Sequence, residues 1–310
     1  MISATVAICT HNRCHVIGRA VEGALREVRS SGAELLVVDN ASTDATQETL
    51  AGMQAPDMRV VREPELGLSA ARNRALAEAR GAVVAFLDDD AVPRAGWLAA
   101  LLAAYERTDV ACAGGRILLH FAAPPPAWLT PPLYPALSGY DAGDGARRLR
   151  DRPGDEYPYG ANISFRVASA RALGGFSTRL GPRGRHDLVH DETDLCYRID
   201  HAGGEIHYVP DAIVDHWVLP ERLSPAWFLV RHRLRGESAA AFELKNRGLR
   251  RAVGRVRWYY GRHLATGRYV PREPVDAHRL VRECRRREAV GYLVGLARGL
   301  PRLGKMRAGT

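Results

Sequence analysis

Short apolar runs alternate with longer amphipathic stretches along the first 120 residues. The runs at 5–10 (TVAICT), 34–39 (ELLVVD), 58–62, 82–87 (AVVAFL) and 110–119 have the length and composition of buried strands. Between them, 16–29, 44–53, 69–81 and 94–105 carry helical spacing, with Ser69 placed to cap the third helix. Strands of about six residues separated by helices imply an α/β fold: a mostly parallel, Rossmann-like central sheet flanked by helices. From 120 to 159 the pattern breaks. Prolines at 124–126, 131, 132 and 135, with several glycines, predict a long irregular loop that shapes a pocket or closes over it. Regularity returns at 160–167, a short helix leads to Gly174 and Gly175, and 181–189 reads as a polar loop. A helix is expected over 191–202, with Leu195 and Ile199 on one face, followed by two short strands at 205–209 and 212–218. Beyond Pro220 the chain reads as helical, a C-terminal extension of the α/β part.

Parallel sheets of this kind carry ligands beyond the carboxyl ends of their strands. The chemistry is therefore expected just after each strand, and four polar clusters stand there: His11-Asn12-Arg13, the run from Asp39 to Asp44, the run from Pro64 to Leu68, and Asp88-Asp89-Asp90. Three adjacent carboxylates after a buried strand repel one another, and a divalent cation, Mn2+ or Mg2+, removes that cost. Asp39, at a strand end, can accept a hydrogen bond from a nucleobase, while Asp44 is placed to cap the next helix. Gly67 lets a backbone approach a ligand, and Arg72, one turn into the following helix, can reach a diphosphate or the base. Asp191 and Glu192 open a helix whose dipole favours ionised acids there, and either is a candidate general base. His216, after a short strand, is a candidate further metal ligand.

Charge adds a division that periodicity does not show. Net charge is +9, but residues 221–310 hold 22 Arg and Lys against 7 Asp and Glu, leaving 22 against 28 in residues 1–220. A split at 220/221 is expected, with a nucleotide-binding half (1–119) and an acceptor half (120–220) ahead of a basic helical region. Five cysteines without a CxxC pair argue against a disulfide framework or zinc knuckle and fit a reducing cytoplasm. No secretory leader or membrane-length apolar stretch is read.

In this order, CTHNR (9–13), VVDNASTD (37–44), GLSAARN (67–73), FLDDD (86–90), GANISF (160–165), GGF (174–176), DETDLCYRI (191–199) and VPDAIVDHW (209–217) resemble the inverting family 2 glycosyltransferases of the GT-A fold, over about residues 5–233. The resemblance implies that Thr10, Asn12 and Arg13 line the nucleotide and that Asp39 meets a uracil edge. It puts Arg72 near base or phosphates, Asp88 and Asp89 on ribose and sugar, and Asp90 on the metal. The acidic pair in that family usually reads Glu-Asp with the second residue as base. Position then favours Glu192, while the reversed order leaves Asp191 open. The implied reaction is a single in-line displacement from a nucleotide-diphospho-sugar, a UDP-sugar by resemblance, to an acceptor that the sequence does not identify.

Two alternatives stand beside it. A sugar-nucleotide nucleotidyltransferase would want a Gly-rich loop and a Lys after the first strand, and His11-Asn12-Arg13 offers neither. A non-catalytic glycan- or carrier-binding module would not need the acidic run and the helix-start acids. A dinucleotide site is excluded because no GxGxxG follows the first strand. For the basic region three readings stay open: peripheral contact with an anionic membrane, contact with an acidic acceptor or carrier protein, and a helical cap or homodimer surface with solvated arginines. Nucleic acid is disfavoured, since no recognition motif accompanies the charge.

Overall fold

The computed structural model describes residues 2–183, 186–264 and 268–307. The chain forms two compact units: Met1–His120 with Ser138–Arg179 and Asp191–Trp217, and Phe121–Leu137 with Leu180–His190 and Val218–Thr310.

The first unit opens with the alternation that the sequence predicts: β1 (Ala4–Thr10), α1 (Ile17–Ser31), β2 (Glu34–Asn40), α2 (Thr46–Ala51), β3 (Met58–Glu63), α3 (Leu68–Glu78) and β4 (Val83–Asp88). After them come β5 (Ala91–Pro93), α4 (Trp97–Ala104), β6 (Val110–Phe121), β7 (Arg147–Leu149), β8 (Asn162–Arg166) and α5 (Val167–Ala172). The sheet order is β3-β2-β1-β4-β8-β6, continuing to the long strand near residue 210 and β5. Val6, Ile8, Leu36, Val38, Val84 and Phe86 are buried. That is why these strands read as unbroken apolar runs: helices cover both faces of the sheet.

Strands β1 to β4 pair in parallel, as expected. The rest of the sheet departs from expectation. Strand β8 inserts antiparallel between β4 and β6, so β6 runs in the direction of β4 without touching it. The two strands expected at 205–209 and 212–218 are one, Glu205–Val218. Pro210 falls between the stretch that pairs with β7 and the stretch that pairs with β5, so on that edge no ladder bond is asked of it. The region 120–159 is not structureless. It holds a 3-10 helix at Pro131–Leu137, β7, and a bridge between Ile117 and Tyr140.

In the second unit, Leu133, Ala136 and Leu137 of that 3-10 helix are buried, and Trp128 packs edge-on against Phe228 at 5.6 Å. The stretch expected as a polar loop forms a small ladder, β9 (Pro182–Arg183) with β10 (His186–Asp187). After α6 (Asp191–His201) and β11 (Glu205–Val218), both built mainly into the first unit, the chain is helical: α7 (Pro225–Asn246), α8 (Leu249–Tyr259), a π-turn at Tyr260–Leu264, and α9 (Ala277–Arg307). Ser224 caps α7 by accepting the Trp227 N–H at 3.3 Å. A Cβ at Gly236 would stand 1.9 Å from the Glu288 carbonyl oxygen, and one at Gly291 1.9 Å from that of Arg233. The glycines at 236, 291 and 295 thus let α7 and α9 lie backbone to backbone, and Gly299 leaves room for the Leu244 side chain.

Candidate active site

Strand register brings the first residues of the site together. Thr10 lies opposite Asp39, and Cys9 opposite Asp88, so the ends of β1, β2 and β4 form one edge. Asp39 is buried there, its carboxylate accepting from the Ser42 N–H at 3.2 Å and the Gln47 side-chain amide at 2.8 Å. Asn12 is committed to the neighbouring loop: its Oδ1 accepts from the backbone of Thr43 (2.8 Å) and Asp44 (3.3 Å), and its own N–H donates to Ser42 Oγ at 3.0 Å. Asp44 accepts from the Thr46 hydroxyl and N–H, which hold its carboxyl well below the usual range and close the start of α2 from two residues ahead. Gly67, with φ of 147°, donates its N–H to Asn40 Oδ1 at 2.7 Å. Asn40 also donates to the carbonyls of Glu63 and Glu65 and so fixes the loop before α3. Nothing in the local sequence marks Asn40 for this role, because its partners stand more than twenty residues away.

The acidic run is folded into the protein. Asp88 ends β4, Asp90 is 4% exposed, and the turn between them leads into β5. Strand β5 pairs antiparallel with β11, setting Ala91 opposite His216, and the Trp217 N–H donates to the Asp90 carbonyl at 2.8 Å. This places His216 Nε2 3.0 Å from Asp90 Oδ1. Asp88, Asp90 and His216 each offer one ligand atom within 4.8 Å of the others. Two carboxylate oxygens and an imidazole nitrogen are a donor set suited to Mn2+ and, with fewer waters replaced, Mg2+. The cluster differs from the expected one by including Asp88. Asp89 instead sits 3.7 Å from Arg13, and burial with the Asp90 charge pushes its carboxyl up to about 7.

Arg72 joins this cluster to the helix-start acids. Its Nη2 is 3.7 Å from Asp88, while its Nη1 is 2.9 Å from Asp191 and 3.6 Å from Glu192. The guanidinium lies over the ring of Phe176 at 5.5 Å, and Phe176 packs edge-on against Phe86 and Phe165. Gly160 makes room for it: a Cβ there would stand 2.1 Å from Nη2. Asn73 fixes Phe176 by donating to its carbonyl and accepting its N–H, at 2.9 and 2.8 Å. Arg198 ties α6 to the same turn through the carbonyls of Leu173 and Gly175. Ser69 is not a cap. Helix α3 starts at Leu68, and the Ser69 hydroxyl donates to Asp191 at 3.1 Å.

The two acids of α6 live in different surroundings. Asp191 is 1% exposed. Burial opposes its ionisation, but the Arg72 charge and hydrogen bonds from Glu192, Arg72 and Ser69 outweigh it and hold the carboxyl below the ordinary range. Glu192 is 17% exposed; burial and then the Asp191 charge push its carboxyl up to about 8. Neighbouring acids driven apart in this way are a common arrangement for assigning proton-transfer roles.

Comparison with known proteins agrees with this geometry. The model of "Glycosyl transferase family 2" matches residues 5–173. The chain is 25% identical over 246 residues to the glucosyl-dolichyl phosphate glucuronosyltransferase of Haloferax volcanii, covering 77% of each protein. It is 30% identical over 247 residues to the pre-mycofactocin glycosyltransferase of Mycobacterium tuberculosis, covering 78% of this chain but about half, 48%, of that one. Among solved structures, the mannosyltransferase PcManGT of Pyrobaculum calidifontis, in complex with GDP-Man and Mn2+, superposes with a TM-score of 0.57 at 21% identity, covering 99% of this chain and 79% of that one. That likeness establishes the GT-A fold. A family match over more than half the chain, set on strand-end acids that the fold gathers into one cluster, makes this protein a glycosyltransferase and a member of glycosyl transferase family 2.

Proposed function

We propose that the protein moves a sugar from a nucleotide-diphospho-sugar, with UDP as the nucleotide, to an acceptor hydroxyl or amine, inverting the anomeric centre in one in-line displacement. The observation that carries this is Arg72, whose guanidinium touches Asp88 of the metal cluster at one end and the Asp191–Glu192 pair at the other. Donor and proton acceptor would thereby be held within one side chain's length of each other. Asp88, Asp90 and His216 would hold the cation, Mn2+ or Mg2+, which when bound supplies positive charge to the departing nucleotide diphosphate. The edge around Thr10, Arg13 and Asp39 would bind the nucleotide, with Asp39 accepting from a base N–H and Asp89 from sugar hydroxyls. Asn12 and Gly67 would shape that edge through the loops they pin.

In the chemical step Glu192 takes the proton of the acceptor as its oxygen or nitrogen attacks the sugar. Asp191 stays ionised against Arg72 and keeps the second carboxylate basic. The reading assigns residues 1–220 to the catalytic domain and 221–310 to contact with the enzyme's surroundings, in a cytoplasmic protein whose basic region meets a membrane or an acidic carrier. No helix among the described residues is long and apolar enough to cross a membrane.

A thermal-shift screen of UDP-, GDP- and dTDP-sugars with and without Mn2+ tests this reading. The donor, at about a hundred times its Kd, is expected to stabilise the fold by about 2.7 kcal/mol, and only with the metal present. A screen in which no nucleotide-sugar raises Tm counts against the reading, and a response to GDP-sugars alone replaces UDP in it.

A further inference from the structure

Between Glu243 and Glu273 the chain carries nine basic residues and no acid. The second unit sorts its arginines into two sets. Arg233 and Arg298 pair with buried Glu237, Arg247 and Arg255 with buried Glu243, and Arg286 and Arg287 with buried Glu283. These cations are used inside the helical unit. Arg250, Arg251 and Arg257 on α8 are exposed instead. So are two aliphatic residues of the same helix, Leu249 at 45% and Val253 at 52%. Leu249, Val253 and Arg257 follow one another at four-residue spacing, and Arg250 stands beside them. One side of α8 buries Ala252 and Tyr259 in a cluster with Ala240, Ala289 and Tyr292. The helix is thus anchored by that side and presents, bordering it, an aliphatic strip and then a basic one.

We infer that the outer face of α8 docks on an anionic lipid bilayer. Leu249 and Val253 would enter the acyl boundary while Arg250, Arg251 and Arg257 stay with the phosphates, as in helices that lie in a membrane interface. A second copy of this chain would set like charges against one another. Nucleic acid has no use for exposed leucine and valine, which neither stack on bases nor bond to them. The inference narrows the reading of residues 221–310 given above to one helix and one partner, and its test needs no transfer activity.

The test is flotation of the full chain with phosphatidylcholine vesicles, with and without phosphatidylglycerol. Binding is expected only to the anionic vesicles and is expected to weaken as salt rises. The R250E/R251E/R257E variant should lose affinity by at least about tenfold, given the contribution of each basic residue at such a surface. L249S/V253S should lose the part of binding that persists at high salt. Should the charge-reversed variant fail to show a helical circular dichroism spectrum, the serine variant and the salt series decide. E192Q should float like the wild type, which separates this outcome from any failure of the proposed chemistry. Equal binding to neutral vesicles, binding unchanged in both α8 variants, or displacement from vesicles by duplex DNA would overturn the inference.

Discussion

Glu192→Gln is expected to leave donor affinity unchanged and to lower kcat by about 10²–10⁴, the usual worth of a positioned general base. The amide keeps the shape of the side chain and its reach to Asp191 but cannot take the acceptor's proton. The wild type should show the matching pH dependence. Because burial and the Asp191 charge hold the Glu192 carboxyl up at about 8, the basic form grows as pH rises. Turnover should therefore climb about tenfold per pH unit below 8 and level off above it. The sign for stability is opposite. An unfolded Glu releases its proton near pH ~4.3, whereas Glu192 keeps it until about 8, so between these values its ionisation opposes folding more as pH increases. Glu192→Gln should match the wild type in thermal stability near pH 4–5 and exceed it by a margin that grows as pH rises to about 8 and levels off above it. If Asp191→Asn abolishes turnover with donor binding and stability intact while Glu192→Gln stays active, the base is Asp191.

Arg72→Ala should be the most damaging substitution for the first unit, costing about 3–5 kcal/mol in urea or thermal unfolding. Asp191 is buried, and Arg72 at 2.9 Å is its cationic partner; removing the cation leaves a carboxylate charge in the interior. Arg72→Ala combined with Asp191→Asn should be more stable than Arg72→Ala alone, because the stranded charge is gone. Arg72→Lys keeps a charge but cannot span from Asp88 to Glu192 with two nitrogens, and should recover stability more than turnover. A loss under 1 kcal/mol for Arg72→Ala would show that the buried pair is solvated or compensated otherwise.

Much of this site could be read from the chain. A buried strand followed at once by Asp88-Asp89-Asp90 is a local pattern, and parallel pairing of β1 to β4 turns four local patterns into one edge. What remained hidden depends on contacts between distant residues. Strand β8 gives no sign in its own residues that it will pair antiparallel between β4 and β6. That Asp88 rather than Asp89 joins Asp90 follows from the turn into β5 and from His216 arriving on β11. Ser69 reads as a helix cap because capping is a local property, yet its hydroxyl is drawn to Asp191 across the fold. Gly160 belongs to a motif the sequence displays, but its reason is the Arg72 guanidinium. In the basic region, net charge gives no sign of the glycines at 236, 291 and 295, which set the α7–α9 packing, or of the three buried glutamates, Glu237, Glu243 and Glu283, that receive many of the arginines.

The central claim is that the strand-end acids are gathered to hold a cation together with an activated sugar. Calorimetry of nucleotide-diphosphate binding in the presence and absence of Mn2+, on the wild type and on Asp90→Ala, tests it most directly. The wild type is predicted to bind more tightly with Mn2+, and Asp90→Ala to bind the nucleotide equally weakly with or without it. A variant that keeps the full Mn2+-dependent gain would remove Asp90, and with it the Asp88–Asp90–His216 cluster, from the site.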